Sequence, residues 1–523
     1  MEIERNPGRI KNVKRNIFYG IIQICISQVL PFVVRTILIY RFGVDYLGLN
    51  SLFASVLSVL SLMELGFGTA IVYSMYKPVA DEDVPQICAY LSYYRRVYRL
   101  IGIAVLIIGL LLIPFINLFV KDTELPGELS LYYCYLIFLL NSVISYLVFG
   151  YMTAVPVAYQ RRDILSRLDM ALVVLKCALQ ILVLLSSTNF YLYLLVLPLI
   201  SILHNIALAY IVKKRYPAIK CMGDIETDQK KDLRKRVFGL LINKLTNVSR
   251  NGIDSLCISS FIGLAATGIY NNYLYIITGV LSFSSMICNS MIASVGNSIV
   301  LESEEKNYSD MKLFDFMYMT VIGWIVVMLL CAFQPFISVW IGSDKTLNAS
   351  VVIILCAYLY FLKSGDIRWV YHEAVGLWWE CRWIMIGEAI TNIVLNVVLC
   401  KMWGIAGIVL ATAISVFMTN CILCPKVLFR EYFKIRKLQE YWLDHFSYLI
   451  TTIVTAVISW IICNYLFPVS LIEERIIPNI VSCLAGRLII PSIVSAFVFW
   501  LVWHHSERYR KTKIWIKRIV IAC

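Results

Sequence analysis

The chain has 523 residues, of which 60% are hydrophobic and only 15% charged, and its formal net charge is +14. Soluble domains contain about 45–50% apolar and about 25% charged residues, so an apolar excess of this size cannot be buried in one soluble core. The composition excludes an ordinary soluble domain and predicts an integral membrane protein.

Apolar stretches of about twenty residues follow one another along the whole chain, and each is long enough to cross about 30 Å of hydrocarbon. The first stretch follows a basic flank, but it is too long for a cleaved signal peptide and lacks a clear small-residue cleavage site. The sequence therefore predicts an all-α, polytopic membrane protein with about 14 transmembrane helices. The predicted spans are 17–39, 51–73, 98–120, 131–155, 170–185, 191–212, 237–261, 275–295, 314–333, 351–370, 383–399, 405–424, 446–466 and 484–503.

The loops between these spans alternate between basic and nearly neutral. With the N-terminus in the cytoplasm, about 35 of the 47 Lys and Arg residues lie in inside segments, about 5 outside and about 7 within spans. This bias predicts a multi-pass protein with both termini in the cytoplasm. It also explains the net charge, together with attraction to anionic membrane lipids. No soluble segment is long enough for a nucleic-acid-binding module, so no nucleic-acid partner is expected.

The basic stretch 213–236 divides the chain into two similar halves. Residues 41–49 (RFGVDYLGL) align with residues 261–269 (FIGLAATGI), and both segments form the outside turn after the first span of their half. Both halves start inside, which predicts parallel repeats related by a pseudo-two-fold axis along the membrane normal. The predicted organisation is a six-helix bundle over 1–212, a basic linker over 213–236, a second six-helix bundle over 237–425, and two extra helices with a basic tail over 426–523.

Polar side chains recur on one face of several predicted spans, where lipid would penalise them. In the seventh span they form a stripe roughly 120° wide, and a neutral version of the same pattern follows in the eighth span. We infer a hydrated cavity between the two bundles. The seventh-span stripe comprises Asn243, Lys244, Asn247, Arg250, Asn251 and Asp254, and the eighth-span stripe comprises Asn271, Tyr275, Thr278, Ser282, Ser285 and Asn289.

Charges inside the predicted spans are more often basic than acidic, which favours an anionic ligand, phosphate in particular. Structural explanations remain open for single residues: Arg35 could lie at the interface, Asp254 could neutralise Arg250, and Glu388 could serve helix packing. The candidate substrate-binding residues are Arg35, Lys176, Lys244, Asn247, Arg250, Asn251, Arg368, Asn271 and Asn289, and the candidate ion-coupling residues are Asp254, Glu64 and Glu388.

The sequence contains no motif of a hydrolase, metalloprotease or nucleotide-binding loop, so no enzymatic activity is expected. The pair Cys421 and Cys424 has no second pair of ligands, and the 16 Cys residues show no metal-binding spacing, so neither a cofactor nor a metal is expected. His204 is alone in the sixth span, where hydrogen-bonded packing and a proton relay are both open.

Three segments carry a family resemblance. Residues 41–49 (RFGVDYLGL), 62–70 (LMELGFGTA) and 77–81 (KPVAD) resemble the first two spans of the Wzx-type polysaccharide flippases. Asp254 with the turn at Gly263 and Gly268 is similar to the start of that family's second half, and residues 403–408 (WGIAGI) are similar to its turn into the twelfth span. Glu64 stands where the family often has Asp, a departure that keeps the charge.

This family belongs to the multidrug/oligosaccharidyl-lipid/polysaccharide exporter superfamily. The resemblance implies two six-helix bundles with two extra helices, alternating access, and a substrate of undecaprenyl diphosphate carrying an oligosaccharide. It also implies the bacterial inner membrane, coupling to H⁺ or Na⁺, and a polysaccharide polymerase as a partner. Three alternatives stay open: a multidrug cation exporter of the same superfamily, a flippase for the peptidoglycan precursor, and a membrane polysaccharide polymerase or ligase.

Overall fold

The computed structural model describes residues 9–64, 66–121, 129–234, 237, 248–377, 379–434, 437–469 and 476–522. Within these ranges the chain is nearly all helix and contains no β-strand, so the prediction of an all-α fold is confirmed. Contacts divide the chain into an N-terminal unit, Met1–Asn271, and a C-terminal unit, Asn272–Cys523. The predicted domain boundaries at 212, 236 and 425 stay predictions.

The helices of the N-terminal unit are long, apolar and capped at defined residues. Asp83 caps one of them, because its Oδ1 accepts a hydrogen bond from the backbone N–H of Gln86 at 3.0 Å and Pro85 fits the first turn. The helices are α1 (Arg9–Phe42), α2 (Val44–Leu60), α3 (Phe67–Ala80), α4 (Val84–Leu111), α5 (Leu131–Leu147), α6 (Ala154–Ala158), α7 (Arg162–Ser186), α8 (Phe190–Arg215), α9 (Asp254–Phe261) and the first residues of α10 (Leu264–Leu301).

The C-terminal unit contains the rest of α10 and eight further helices. They are α11 (Glu304–Ile341), α12 (Ala349–Lys363), α13 (Asp366–Val375), α14 (Arg382–Val416), α15 (Cys424–Leu428), α16 (Leu438–Leu466), α17 (Ile477–Trp503) and α18 (Glu507–Ala522).

Nine helices in the described ranges are long and apolar enough to cross a membrane, or up to 11 if two bent helix pairs each count as one span. The chain is therefore a multi-pass membrane protein, although this count is lower than the predicted 14. The difference of three arises at three places. The second predicted span is broken after α2, and the seventh lies partly outside the described residues. The eleventh and twelfth follow each other directly within Arg382–Phe433, with a kink at Gly404 between them, and are counted there as one.

Two glycines produce these breaks. Gly66 has a φ of 93°, in the left-handed region, and separates the 3₁₀ turn Ser61–Glu64 from α3. Gly404, with φ 57° and ψ −132°, interrupts α14, and a Cβ on Gly407 would lie 1.9 Å from the carbonyl oxygen of Leu399. The chain therefore turns sharply at Gly404, at the boundary predicted between the eleventh and twelfth spans.

The two aligned turns of the N-terminal unit contact each other reciprocally. Gly43 (φ 104°) precedes α2 and Gly263 (φ 136°) precedes α10, so both turns use the left-handed region. A Cβ on Gly48 would lie 2.0 Å from the carbonyl oxygen of Leu264, the first residue of α10. A Cβ on Gly268 would lie 2.3 Å from the carbonyl oxygen of Val44, the first residue of α2. The contact therefore obeys the register that aligns residues 41–49 with 261–269.

Arg487, in the middle of α17, connects two other helices of the C-terminal unit. This buried guanidinium donates to the carbonyl oxygen of Phe467 from Nε (3.0 Å) and Nη2 (2.8 Å), to Asn464 Oδ1 (2.8 Å), and to the carbonyl oxygen of Cys331 (3.0 Å). Main-chain acceptors at the end of α16 and within α11 thus receive charged donors. Arg487 therefore has a structural role in this unit.

The segment that follows α8 is tied to α4 by one carboxylate. Asp224 accepts hydrogen bonds from Lys230 Nζ at 2.7 Å and from Arg96 Nη2 at 2.6 Å. These two hydrogen bonds lower the pKa of Asp224 to about 2, and the one from Lys230 has the larger effect. The carboxylate is therefore ionised at all physiological pH values.

Candidate functional site

A polar cavity of about 450 Å³ lies inside the N-terminal unit, and we call it the N-terminal cavity. Helices α1, α4, α5, α7 and α8 and the break after α5 contribute to its wall. Polar and titratable groups predominate in it, a composition that belongs to a hydrated interior rather than to a lipid-facing surface. The lining residues are Gln23, Ser27, Tyr98, Ser145, Gly150, Thr153, Asp169, Leu172, Val173, Lys176, Ile200, Ser201, His204 and Asn205.

The fourth predicted span is broken at this cavity. Helix α5 ends at Leu147, the chain bends by 57°, and Phe149 takes a φ of 53° before a short helical segment begins at Gly150. A Cβ on Gly150 would lie 2.0 Å from the carbonyl oxygen of Ser145, so only glycine fits this turn. Non-helical backbone at membrane depth is tolerated where it lines a cavity, and the carboxyl end of α5 gives the cavity a partial negative charge.

The titratable centre of the N-terminal cavity is a hydrogen-bonded pair, Asp169 and His204. Asp169 Oδ1 lies 3.0 Å from His204 Nε2, and Asp169 Oδ2 accepts from Gln23 Nε2 at 2.9 Å. His204 Nδ1 lies 3.2 Å from Asn205 Oδ1. Both Asp169 and His204 are half-buried. A carboxylate and an imidazole are therefore in direct contact inside the cavity.

Glu64 lies next to the same cavity, enclosed by tyrosines. The hydroxyl of Tyr98, a residue that lines the cavity, donates to Glu64 Oε1. The rings of Tyr94 and Tyr146 pack against that of Tyr98, with centroids 4.6 Å and 5.4 Å away. The structure therefore brings the predicted ion-coupling residue Glu64 close to the Asp169–His204 pair, through Tyr98.

Lys176 and Arg35 are the predicted substrate-binding residues that lie on α7 and α1. Lys176 lines the N-terminal cavity, two turns along α7 from Asp169. Arg35 is half-buried on α1 and lies near Tyr193 of α8. Lys176 is thus brought together with Glu64, Asp169 and His204, so the cavity contains both signs of charge.

The predicted polar stripe of the seventh span is only partly described. Lys244 and Asn247 lie outside the described residues, as does the side chain of Asn251, and Arg250 is half-buried in a π-helical turn before α9. Asp254 is 1% exposed, with the hydroxyl of Tyr270 at 3.4 Å from Oδ2. Asn271 bonds to Ser255 Oγ at 3.3 Å. Asp254 and Asn271 therefore contribute to the α9–α10 hairpin, and their predicted roles stay predictions.

The remaining predicted residues belong to the C-terminal unit and are not close together. Arg368 on α13 is 1% exposed, and its guanidinium contacts neutral groups, His372 Nε2 at 3.2 Å and Asn420 Oδ1 at 3.5 Å. Asn289 is exposed on α10, and Glu388 is buried on α14. Within the described ranges, no group of three or more His, Cys, Asp or Glu side chains is placed to hold a metal ion.

Asp169 is the titratable residue that sequence analysis missed. It lies one residue before the predicted start of the fifth span, which placed it at the membrane surface. Helix α7 begins at Arg162, however, so Asp169 is two turns inside the helix. Its spacing of seven residues from Lys176 was the available signal, because residues seven apart share a helix face.

No family model and no curated protein matches this chain. Solved structures do match it in fold. An inward closed structure of the lipid II flippase MurJ aligns with a TM-score of 0.65 at 15% identity, covering 93% of this chain and 98% of that chain. An inward-facing multidrug resistance MATE family transporter of the MOP superfamily aligns with a TM-score of 0.62 at 13% identity, covering 80% of this chain and 99% of that one.

A third match is a MOP superfamily transporter from Pyrococcus furiosus whose binding pocket is described as having reverse polarity, suggesting a different function. It aligns with a TM-score of 0.57 at 12% identity, covering 83% of this chain and 97% of that chain. At these identities the likeness is one of fold. The structural neighbours are MOP superfamily transporters, and the chain shares their architecture.

Proposed function

We propose that this chain is a flippase that moves undecaprenyl-diphosphate-linked oligosaccharide from the inner to the outer leaflet of the bacterial inner membrane, by alternating access. The product would serve the assembly of O-antigen, capsule or exopolysaccharide. One observation carries the choice of a lipid-linked substrate. The lipid II flippase fold matches 93% of this chain, whereas the multidrug transporter structures match 80% to 83%.

The proposed substrate is an anion, and the charge of the chain favours it. Intramembrane Lys and Arg outnumber acids in the sequence, and the buried guanidinium of Arg368 contacts neutral partners. Guanidinium and ammonium groups suit a diphosphate, and amide side chains suit sugar hydroxyls. We assign the diphosphate to Arg35, Lys176, Lys244, Arg250 and Arg368, and the sugars to Asn247, Asn251, Asn271 and Asn289.

The coupling ion is assigned to the N-terminal cavity. Asp169 and His204 form a hydrogen-bonded pair there, and the carboxyl end of α5 adds partial negative charge. A proton taken up by this pair would raise the positive charge of the cavity by one, and its release would lower it again. Glu64, linked to the cavity through Tyr98, would share this role, while Asp254 and Glu388 stay predicted alternatives.

Transbilayer movement in proteoliposomes tests the proposal. Undecaprenyl diphosphate carrying a fluorescent disaccharide is incorporated in both leaflets, and dithionite in the outer medium quenches only the exposed label. We expect the purified protein to make the whole labelled pool accessible. Lys176→Gln and Arg250→Gln are expected to slow this movement, whereas Lys220→Gln, an exposed residue after α8, serves as the matched control.

Three outcomes would refute the proposal. Movement by protein-free liposomes at the same rate would show that no flippase activity is present. Equal movement of a neutral glycolipid without the diphosphate would show that the charge is not recognised. If the disaccharide lipid stays in place while the peptidoglycan precursor lipid moves, the sibling flippase replaces this proposal.

The second candidate is an ion-coupled exporter of organic cations. Two observations favour it. Two acids, Asp169 and Glu64, lie at the N-terminal cavity, and the fold matches MATE family transporters. It predicts pH-driven efflux of a dye cation such as ethidium, lost in Asp169→Asn. The flippase proposal predicts that Asp169→Asn changes the pH dependence of lipid movement and that no dye is exported.

A further inference from the structure

A second cavity of the N-terminal unit, about 710 Å³ in volume, opens at one end of the antiparallel pair α7 and α8. We call it the α7–α8 groove. Its floor is apolar, formed by Ile164, Leu168 and Ile211, and Tyr210 forms one wall. Cationic side chains line the rim. They are Arg167, Lys214 and Arg215.

Several cations gather around one acid at this end of α7. Asp163, which is fully buried, pairs with Arg15 (Nε–Oδ2, 3.1 Å), Arg161 (Nε–Oδ1, 3.1 Å) and Arg167. One carboxylate therefore contacts three guanidinium groups. Lys214 adds a further cation at the end of α8, and the amino end of α7 adds partial positive charge.

The groove continues into an apolar stripe that runs along α8. Leu199 (48% exposed), Leu203 (38%), Ile206 (50%) and Tyr210 (66%) recur at steps of four, three and four residues, so they share one face. In a membrane-spanning helix this face lies against lipid chains, and tyrosines at its end sit at the level of the headgroups. The cationic rim therefore lies where a lipid phosphate would be.

We propose that the α7–α8 groove is a binding site for an anionic glycerophospholipid. The phosphate would contact Lys214 and Arg215, and one acyl chain would follow the stripe of α8. Charge complementarity selects an anionic headgroup, and continuity of the apolar floor with the stripe selects a lipid rather than a soluble phosphate. The positive-inside bias places this end of α8 in the inner leaflet. The inference is independent of which substrate the protein transports.

Lipid binding by the purified full-length protein tests this site. Dioleoyl phosphatidylglycerol and dioleoyl phosphatidylcholine are titrated in detergent, and bound lipids are counted by native mass spectrometry. We expect the wild type to prefer phosphatidylglycerol. The double variant Lys214→Gln/Arg215→Gln should lose on the order of tenfold to thirtyfold of this preference, because each juxtamembrane cation contributes about fivefold.

The matched control removes two exposed cations from the next segment, in Lys220→Gln/Lys231→Gln. Its preference for phosphatidylglycerol should equal that of the wild type. If the double variant proves unstable in phosphatidylcholine, the single variant Lys214→Gln, at an exposed residue, should still lose about fivefold.

Three results would overturn the proposal. Equal losses in the groove and control variants would indicate general attraction of a basic surface to anionic lipid. Competition by free glycerol phosphate at the same concentration as the lipid would indicate a soluble phosphate ligand. Displacement by undecaprenyl diphosphate far below the phosphatidylglycerol concentration would assign the groove to the transported lipid class.

Discussion

The substitution Gly48→Ala tests the reciprocal turn contact of the N-terminal unit. The new methyl group would lie 2.0 Å from the carbonyl oxygen of Leu264 and 2.7 Å from its carbonyl carbon. Both atoms belong to the backbone, which cannot rotate away as a side chain can. The helices must therefore separate by about 1 Å or more, and overpacking of this kind costs about 1–3 kcal/mol.

A second Gly→Ala substitution removes the effect of helix propensity from this measurement. Alanine favours a helix over glycine by about 1 kcal/mol, which offsets part of the steric cost. Gly387 lies within α14, and a Cβ there would meet nothing within 4 Å. We expect the free energy of unfolding of Gly48→Ala to lie about 1–3 kcal/mol below that of Gly387→Ala, because only the clash differs between them.

Equilibrium unfolding in mixed micelles of mild detergent and dodecyl sulfate measures this difference. Gly268→Ala, whose methyl group would approach the carbonyl oxygen of Val44 at 2.3 Å, should cost a similar amount. The double variant Gly48→Ala/Gly268→Ala should cost less than the sum, because the first methyl already separates the two helices. Unfolding free energies for Gly48→Ala and Gly387→Ala that agree within error would refute the contact.

Three further predictions concern single side chains. Arg487→Met should lower the free energy of unfolding by about 3 kcal/mol, because buried carbonyl acceptors lose their donors, while the exposed Arg510→Met should leave it unchanged. Tyr98→Phe removes the hydroxyl that bonds to Glu64 and should cost about 1–2 kcal/mol in the same assay, against no change for the exposed Tyr133→Phe. The Asp224 tether should persist above about pH 4 and weaken only as the pH falls toward 2, since a lowered pKa makes its contribution present at higher pH. Hydrogen exchange of the segment 216–234, corrected for intrinsic rates, measures it, and protection already lost at pH 5 would contradict the assignment.

Features that depend on hydrophobicity alone were predictable from the sequence. The apolar stretches gave the all-α fold and the multi-pass architecture, and the glycines at 43 and 263 marked two turns that the structure contains. The sharp turn at Gly404 lies where one predicted span gives way to the next. These features follow from local composition and from the need to satisfy backbone groups in lipid.

The cavity of the N-terminal unit was harder to predict, because it depends on where helices bend and which faces meet. Asp169 was placed at the surface because the polar first turns of α7 precede its apolar run. The break after α5 falls inside an apolar stretch, where Val148 and Phe149 leave the helical conformation. Lys176 was recognised from its charge. That it lines the same cavity as His204 depends on tertiary contacts, which the sequence does not show.

The contact between Gly48 and Gly268 has the symmetry of a homodimer interface. In an isologous pair, residue i of one partner touches residue j of the other, and j touches i in return. Here Val44, the first residue of α2, contacts Gly268 of α10. In return Leu264, the first residue of α10, contacts Gly48 of α2. Two positions of one chain thus share a single steric constraint. Side-chain size at either glycine is therefore limited by the partner helix, and the two positions are expected to vary together in the course of evolution.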